Sequence, residues 1–244
     1  MKRIVFLLSV ILVIFLTACK KADDFQLPKL SDYYPLQVGK YITYNLDSTV
    51  YLYFGAKDTV ISYQVKHVID AQVNDNLGRP GYRIIRYIRK NSAGSWQPDN
   101  TFYAVPTENT IEFIENNFRY IKMKEPLRDG FSWKGNSYID TYSLNSTVKY
   151  LDDWDYTYDS LNLPSKIGAL MIDSTVKVIQ RDETIGNPAD ANSYSERNIG
   201  QEKYAKGIGL VYRVFSHLEY QPPTPGRGGY KQGYGVKLTM IDHN

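Results

Sequence analysis

Residues 61–73 read ISYQVKHVIDAQV, and apolar side chains recur at every second position of this run. Successive side chains of a β-strand point to opposite faces of its sheet, so this period predicts one long strand with one buried face. Residues 74–81 then carry Asn, Asp, Gly and Pro, which are typical of a chain reversal, and residues 82–89 alternate again. The two runs predict a long antiparallel hairpin.

A second hairpin is predicted over residues 110–115 and 118–124. These runs flank Asn116 and Asn117, and Asn tolerates the positive φ that tight turns require. A helix is the alternative, because apolar residues here also recur at helical spacing: Ile111, Ile114, Phe118 and Ile121.

The C-terminal part of the chain is also strand-like, over residues 208–220 and 235–242. Residues 221–234 join these runs and contain three prolines and four glycines, which predicts the longest exposed irregular segment. The chain has 22 Tyr, a residue enriched in strands. The predicted fold is mostly β, antiparallel and poor in helix, built either as two similar β units or as one continuous curved sheet or half-barrel.

An internal repeat favours two units. Residues 41–50 (YITYNLDSTV) align with residues 138–148 (YIDTYSLNSTV) at eight identities with one insertion. Upstream, PLQVG at residues 35–39 matches PLRDG at residues 126–130. We therefore expect a first β unit over residues 31–124 and a second over residues 125–244. The alternatives are convergent strand and turn chemistry and a single continuous domain.

The N-terminus has the pattern of a secretory signal peptide. Lys2 and Arg3 precede an apolar run over residues 4–16, which is shorter than the roughly 20 residues of a membrane-spanning helix. The next residues, LTAC at positions 16–19, resemble the lipobox of bacterial lipoproteins. We therefore expect residues 1–18 to be removed, Cys19 to carry lipid and residues 19–30 to form a tether. An ordinary signal peptide with a chance cysteine is the alternative.

The tether carries a further sorting pattern. Lys20, rather than Asp, follows the cysteine, which resembles the outer-membrane sorting signal of Gram-negative lipoproteins. The acidic pair Asp23 and Asp24 makes the stretch similar to the signal that exports some lipoproteins to the cell surface. The expected location is therefore the outer membrane, with surface exposure and a membrane partner bound through the Cys19 lipid.

Two further motifs resemble a family of uncharacterised Gram-negative envelope lipoproteins. Residues 33–44 (YYPLQVGKYITY) resemble that family's mature start, an aromatic pair, Pro-Leu, two residues, Gly and then an aromatic strand. Residues 204–213 (YAKGIGLVYR) resemble its late motif. The resemblance implies a secreted, lipid-anchored, β-rich domain of the curved-sheet or half-barrel kind used by lipoprotein carriers, and it implies no reaction.

Composition narrows the possible functions. Without Lys2 and Arg3 the chain has 27 basic and 26 acidic residues, so it lacks the basic excess of a nucleic-acid-binding protein. A lone cysteine excludes an intramolecular disulfide and a thiolate-rich zinc site. The three histidines, His67, His217 and His243, have no metal-ligand spacing. We expect a non-enzyme without a cofactor or metal, in which His67 is a hydrogen-bonded structural residue and His217 could at most serve as a base.

Two sets of aromatic residues are candidate ligand contacts. Trp154, Tyr156 and Tyr158 lie beside carboxylates, a combination that stacks on sugars, although a spacing of two is also typical of core residues. The second set lies in the Gly- and Pro-rich loop: Arg227, Tyr230, Lys231 and Tyr234. A weak calcium candidate overlaps the first set at Asp153, Asp155 and Asp159, where an exposed acidic loop is the alternative.

Four Asp-Ser/Thr-apolar triplets resemble acceptors of a Gram-negative protein O-glycosylation system. Modification would require exposed turns at the four acceptors: Ser48, Thr59, Ser160 and Ser174. Ordinary turn chemistry leading into a strand is the alternative.

The sequence thus predicts a surface lipoprotein with a non-catalytic role, the binding of a glycan or an envelope protein. A half-barrel carrier of a lipid or another apolar ligand and a purely structural envelope component are the alternatives.

Overall fold

The computed structural model describes residues 28–244, which form one twelve-stranded antiparallel sheet. Within this range, helix is confined to α1 (Leu30–Tyr33) and to two 3-10 turns, Tyr53–Gly55 and Lys149–Leu151. None of the helices in the described range is long and apolar enough to cross a membrane. The predicted signal peptide, Cys19 and most of the predicted tether lie outside the described residues.

The strands follow one another along the chain: β1 (Tyr41–Leu52), β2 (Lys57–Asn74), β3 (Pro80–Arg89), β4 (Gln97–Pro106), β5 (Thr110–Glu115), β6 (Phe118–Lys124), β7 (Ser132–Lys134), β8 (Asp155–Ile167), β9 (Leu170–Gly186), β10 (Ser195–Ala205), β11 (Gly209–Gln221) and β12 (Tyr230–His243). The sheet order is β6-β5-β4-β3-β2-β1-β12-β11-β10-β9-β8-β7. Two six-stranded meanders are therefore joined where the first strand pairs with the last.

The sheet curls until its two edge strands nearly meet. The Ile121 amide of β6 donates to the Gly135 carbonyl just after β7 at 2.8 Å, and Trp133 Nε1 of β7 donates to the Ile121 carbonyl at 2.8 Å. These bonds satisfy backbone groups that an open edge would leave unpaired. Of the two predicted arrangements, the structure therefore has one continuous curved sheet with an inner and an outer face.

The first predicted hairpin is confirmed as β2 and β3. Val65 is fully buried, and His67 and Ile69 line an internal cavity, so the predicted face points inward. The alternation ends at a bulge, because Ile69 pairs with Ile84 whereas Ala71 pairs with Arg83. A one-residue bulge turns the following side chains to the other face, so the inward run is shorter than predicted.

The second predicted hairpin is confirmed as β5 and β6, and the alternative helix is wrong. Asn116 and Asn117 form the two-residue turn with φ of 51° and 65°. Positive φ at both positions matches the right-handed twist of the flanking strands.

The irregular segment predicted over residues 221–234 is shorter than expected. β11 runs to Gln221 and β12 begins at Tyr230, with these two residues paired, so the connection is residues 222–229. The glycine at position 233 and its neighbours continue the strand because their backbone groups pair with β11.

The two aligned stretches of the internal repeat differ in structure. Residues 41–50 lie within β1, whereas residues 138–148 contain turns and bends and neither strand nor helix. The sequence similarity is therefore not matched by a shared local fold, and the division of the chain near residue 125 stays a prediction.

The largest buried cluster lies inside the closed sheet and is strongly aromatic. It contains Trp133, Trp154, Tyr156, Tyr158 and Tyr204. Ile111, Ile121 and Met123 of β5 and β6 pack in the same cluster. One core thus draws side chains from both sides of residue 125.

Candidate functional site

A cavity of about 110 Å³ lies inside the sheet at the end where the N-terminal segment crosses it. Hydrogen bonds hold this segment in place: the Gly207 amide donates to the Asp32 carbonyl at 2.7 Å, and Lys40 Nζ donates to the Gly207 carbonyl at 2.6 Å. Tyr34 and Pro35, which follow α1, are part of the cavity wall. The N-terminal segment therefore partly covers this end of the sheet.

Five of the apolar side chains in the rest of the wall come from two groups of strands. β1 and β12 supply Leu46 and Leu238, and β3 to β5 supply Ile84, Phe102 and Phe113. Each of these side chains is buried, since alternate residues of every strand face the interior.

Charged side chains from four strands also line the cavity. Lys122 Nζ of β6 lies 2.7 Å from Glu202 of β10, and both side chains are almost fully buried. Arg213 of β11 lies 2.8 Å from Glu115 of β5 and 3.6 Å from Glu202. Two cations therefore balance two carboxylates. We call Glu115, Lys122, Glu202 and Arg213 the internal ion cluster.

Burial and pairing change the ionisation of this cluster. Burial lowers the pKa of Lys122, and the attraction of Glu202 offsets only part of that effect. Burial acts to raise the pKa of Glu115, but Arg213 and Lys122 bring it below its usual value. The Tyr204 hydroxyl also donates to Glu202 at 2.6 Å. The two cations and two carboxylates of the cluster thus compensate one another's charge inside the sheet.

His67 faces the cavity from β2, with its ring 5.0 Å from Tyr44 and 5.4 Å from Phe102. Its Nε2 is buried and has no hydrogen-bond partner among the described residues. Burial, and next the charge of Arg86, lower the pKa of His67 to about 3, so the ring is neutral at pH 7. The prediction of a hydrogen-bonded structural histidine is therefore wrong for Nε2. No other buried side-chain nitrogen in the described cavity wall, apart from Arg213 Nε, lacks a partner.

Tyr34 is a second polar residue of the wall. Its ring lies 5.7 Å from that of Tyr204, and burial, followed by the charge of Glu202, raises its pKa well above the usual range. The Tyr34 hydroxyl is therefore protonated at physiological pH. Like His67, it offers a neutral group to the cavity.

The aromatic residues predicted to contact a ligand through β8 lie in the core instead. Trp154, Tyr156 and Tyr158 are each 1% exposed. Trp154 Nε1 donates to the Tyr150 carbonyl at 2.7 Å, and the Tyr158 hydroxyl donates to the Lys124 carbonyl at 2.8 Å. The expectation of a sugar-stacking platform is corrected, because their spacing of two places all three on the inner face.

The loop residues predicted to contact a ligand are at the other end of the sheet from the cavity and already have partners in the chain. The Arg227 guanidinium lies 3.7 Å from the Tyr230 ring centre, and Lys231 Nζ lies 2.9 Å from Asp58. The Tyr234 hydroxyl lies 2.8 Å from that of Tyr150. The structure brings none of them to the cavity or to one another as a single pocket.

His217 lies toward that same end, and both of its ring nitrogens have neighbours. Nδ1 is 2.8 Å from Asn198 Oδ1, Nε2 is 3.3 Å from Glu219, and the ring stacks on Tyr150 at 3.8 Å. A stacked and hydrogen-bonded ring is held as a structural group.

The weak calcium candidate does not assemble. Lys134 Nζ lies 2.5 Å from Asp153 and 3.1 Å from Asp155, whereas Asp159 pairs with Lys177 at 2.7 Å. Across residues 28–244, no group of three His, Cys, Asp or Glu side chains is arranged to hold a metal ion. Asp153 and Asp155 share Lys134 whereas Asp159 pairs with Lys177, so the three carboxylates do not converge on one point.

The four O-glycosylation candidates do not lie at exposed turns. Ser48, Thr59, Ser160 and Ser174 lie within β1, β2, β8 and β9, and each is partly buried. Ser160 and Ser174 have φ of 65° and 52° at irregular points of their strands. The exposed turns that modification would require are therefore not found at these four positions, because the local irregularity at Ser160 and Ser174 occurs without breaking the sheet.

The internal ion cluster and Tyr34 were missed by sequence reasoning. Lys122 and Glu202 are 80 residues apart, so no local spacing links them. One signal was present in the sequence. Glu202 lies two residues before Tyr204, and Arg213 lies two residues before Phe215, and both aromatic residues are buried. A spacing of two places each charged residue on the same face of its strand as the buried one.

No family model and no curated protein sequence matches the chain. Among solved structures, the chain is similar to a protein of Bacteroides fragilis that is assigned as exported and as having a YmcC-like fold. The two are 12% identical, the match covers 86% of this chain and 99% of that one, and the TM-score is 0.40. At this score the similarity decides neither the fold nor the function of this chain.

Proposed function

We propose that this chain is a lipid-anchored outer-membrane protein displayed at the cell surface. It binds a small neutral amphiphile in the cavity at the end of the sheet that the N-terminal segment covers, and it does not chemically transform this ligand. The observation that carries the proposal is the buried, unpartnered Nε2 of His67 in a wall that combines apolar side chains with an internally paired ion cluster. An apolar pocket with a few converging polar groups and shifted pKa values is the usual form of a ligand site.

Charge balance indicates a neutral ligand. The internal ion cluster pairs its two cations with its two carboxylates, and Arg86 of the wall pairs with Asp99 at 2.5 Å. A cationic ligand would therefore find no unpaired carboxylate in the lining, and an anionic ligand would find only Lys40, which already donates to the Gly207 carbonyl. Burying a charge without a strong partner is costly. A hydroxyl or carbonyl group would satisfy His67 and Tyr34 at no such cost.

Size limits the ligand as well. A cavity of about 110 Å³ is smaller than the roughly 300 to 1,000 Å³ of typical ligand pockets, so it suits a small molecule or one end of a longer one. A whole membrane lipid does not fit this volume. Two modes of binding were predicted, namely carriage of an apolar ligand and surface contact with a glycan or a protein. Carriage has better support, because Trp154, Tyr156 and Tyr158 are buried and cannot form a contact surface.

The pairing of the acidic and basic side chains in the cavity supports the proposal of a non-catalytic role. Glu115 and Glu202 both accept from cations, and the neutral His67 ring has a pKa of about 3, far from that of an efficient base at pH 7.

The binding test uses the three histidine rings of the chain as reporters. We expect titration with 1-hexanol, a neutral short-chain amphiphile, to shift the His67 ring signal in a ¹H–¹³C NMR spectrum saturably. His217 and His243 lie outside the cavity lining and serve as internal controls. Equal small shifts of all three rings would indicate a solvent effect and contradict the proposal.

A His67→Phe variant tests the role of Nε2. It keeps the ring contacts with Tyr44 and Phe102 but removes the unpartnered nitrogen, so we expect the variant to fold and to bind 1-hexanol about tenfold more weakly. The matched variant His217→Phe should leave hexanol affinity unchanged. Undiminished binding by His67→Phe would refute hydrogen bonding to His67.

Localisation is supported by the sequence alone: the signal-peptide pattern, the lipobox-like LTAC ending at Cys19, and Lys20 with the acidic pair. Mass spectrometry of the purified chain should show a lipid-modified Cys19 at the mature N-terminus, and protease added to intact cells should digest the protein. An unmodified N-terminus, or protection until the outer membrane is permeabilised, would contradict anchoring and surface display respectively.

A further inference from the structure

The β8–β9 tip, residues 163–173, lies against Lys203, Tyr212 and Thr239. Their sequence neighbours Glu202, Arg213 and Leu238 line the internal cavity, so the tip covers the outer face of the sheet. Ile167 and Ile172 are buried in one cluster with Ala205 and Val211. Gly168 lies so close to β12 that an added Cβ would sit 3.2 Å from the Thr239 methyl group. The tip is therefore fixed against the sheet, and its remaining side chains are presented outward.

Beneath the tip is an open depression of about 340 Å³ on the outer face. Lysines from three strands line it, namely Lys166, Lys203 and Lys237, together with Gln201 and Tyr212. We call it the lysine depression. No carboxylate is among its described lining residues.

Positive charge in the lysine depression is poorly compensated. Within the described range, no carboxylate oxygen lies within 4.0 Å of Lys166 or Lys203, and Lys237 reaches Asp47 only at 4.0 Å. Lys203 has Ser165 Oγ as its hydrogen-bond partner at 3.3 Å. Burial, and next the neighbouring charge of Lys177, lower the pKa of Lys203. An anion placed here would relieve both repulsion and desolvation.

Exposed apolar side chains adjoin these lysines. Leu163, Leu170 and Met171 are 53%, 44% and 68% exposed. Met171 is paired across the hairpin with Lys166, so an apolar and a basic side chain stand together at the tip. Apolar residues beside lysines are typical of surfaces that contact anionic membranes.

The chain enters the described structure beside this surface. The Tyr33 hydroxyl of α1 donates to Asn162 Oδ1, next to Leu163, at 3.3 Å. Cys19 precedes residue 28 by nine positions, and an extended chain of that length spans about 30 Å at most. A bilayer that holds lipid on Cys19 is therefore kept within reach of the β8–β9 tip.

We propose that the lysine depression and the β8–β9 tip bind phosphate headgroups of the anionic phospholipid bilayer that holds the anchor. The lysines contact the phosphates, and Leu170 and Met171 enter the boundary with the acyl chains. This inference rests on the anchoring part of the proposed function and is independent of the cavity.

The test uses the full-length lipoprotein in phosphatidylcholine vesicles with and without phosphatidylglycerol. Because the sulfur of Cys19 carries lipid, Met171→Cys introduces a unique thiol for a fluorophore. The control is Phe54→Cys in the turn between β1 and β2, at the opposite end of the sheet and 96% exposed. We expect spin-labelled lipid to quench the probe at position 171, more strongly with phosphatidylglycerol, and to leave the probe at position 54 unchanged.

Lysine variants test the headgroup contact. The double variant Lys166→Gln/Lys203→Gln should remove the phosphatidylglycerol dependence, because it removes the two lysines without a carboxylate neighbour. Lys57→Gln/Lys149→Gln changes charge equally at exposed sites outside the depression and should retain the dependence.

Three results would overturn the inference. The first is equal quenching at positions 54 and 171, and the second is quenching at position 171 that does not increase with phosphatidylglycerol. The third is a Lys166→Gln/Lys203→Gln variant whose quenching at position 171 still depends on phosphatidylglycerol. In the second case, saturable binding of inorganic phosphate that the variant loses would assign the depression to free phosphate instead. Mass spectrometry of Cys19 on the same sample separates a failure of anchoring from a failure of headgroup binding.

Discussion

His67 is a buried group whose ionisation is linked to folding. In the unfolded chain its pKa is near the ordinary value of 6.5, and in the folded protein burial lowers it to about 3. Between these values the unfolded chain binds a proton that the folded protein does not. The free energy of unfolding should therefore fall as pH decreases from 6.5 towards 3, by about 1 to 2 kcal/mol between pH 7 and pH 5.

Urea unfolding at pH 7 and pH 5 measures this effect, with His67→Phe as the control that removes it. The His67 ring signal should also show no titration between pH 8 and pH 5. A ring that titrates near pH 6.5 would mean that the imidazole reaches solvent and would contradict the burial argument.

The Lys122–Glu202 pair should matter for stability chiefly when it is broken. Lys122→Met leaves the Glu202 carboxylate buried without its closest cation, which should cost about 3 to 5 kcal/mol. The double variant Lys122→Met/Glu202→Leu leaves Arg213 paired with Glu115 and should recover most of that loss. Chemical denaturation of the three proteins measures both changes.

Arg197→Met is the matched control, because Asp182 is exposed and Arg197 partly exposed, so this pair should contribute less than about 1 kcal/mol. If Lys122→Met cost no more than Arg197→Met, the internal ion cluster would be accessible to water rather than buried.

At the scale of single residues, the sequence predicted which face of a strand a side chain occupies, but it did not predict the side chains that it contacts. The alternation of residues 61–73 correctly placed His67 on the inward face. It could not show that Nε2 lacks a partner, since the residues around it come from β1 and β4. The internal ion cluster depends on four strands meeting, which no local pattern encodes.

Among the elements, the β5–β6 turn depends on two asparagines in the left-handed region. Asn117→Val should destabilise the protein by about 1 to 2 kcal/mol, because a β-branched residue is strained at a φ of 65°, whereas Asn117→Gly should be neutral or slightly stabilising. Thermal or urea unfolding provides the measurement. Asn145→Val, at an exposed position without positive φ, is the control and should change little.

Hairpins were the most predictable elements because their signals are local. Asn116 and Asn117 between two apolar runs identified β5 and β6, and the Gly- and Pro-containing reversal identified β2 and β3. The loop before β12 was predicted too long, since Gly233 lies in a strand through its pairing with Leu218 rather than through its own preference. A spacing of two at Trp154, Tyr156 and Tyr158 suits a core and a sugar platform equally, and burial alone distinguishes them.

On the scale of the whole molecule, sequence patterns predicted antiparallel β structure but left the number of units open. Closure depends on contacts such as that between Ile121 and Gly135, which link the strands at the two opposite ends of the sheet order. The pairing of β1 with β12 joins the first and last strands of the described residues, for example Leu46 with Leu238. No local sequence pattern at these residues predicts either contact.

These long-range contacts predict a single cooperative unfolding transition. Trp96 reports on the first half of the chain, and Trp133 and Trp154 report on the second. With 5-fluorotryptophan incorporated, the three ¹⁹F NMR signals should lose intensity at the same urea concentration, because Ile121 and Met123 share one core with Trp133 and Trp154. If the Trp96 signal disappeared at a separate concentration, the two halves would be independent units, as the internal repeat suggests, and the β1–β12 and β6–β7 contacts would contribute little to stability.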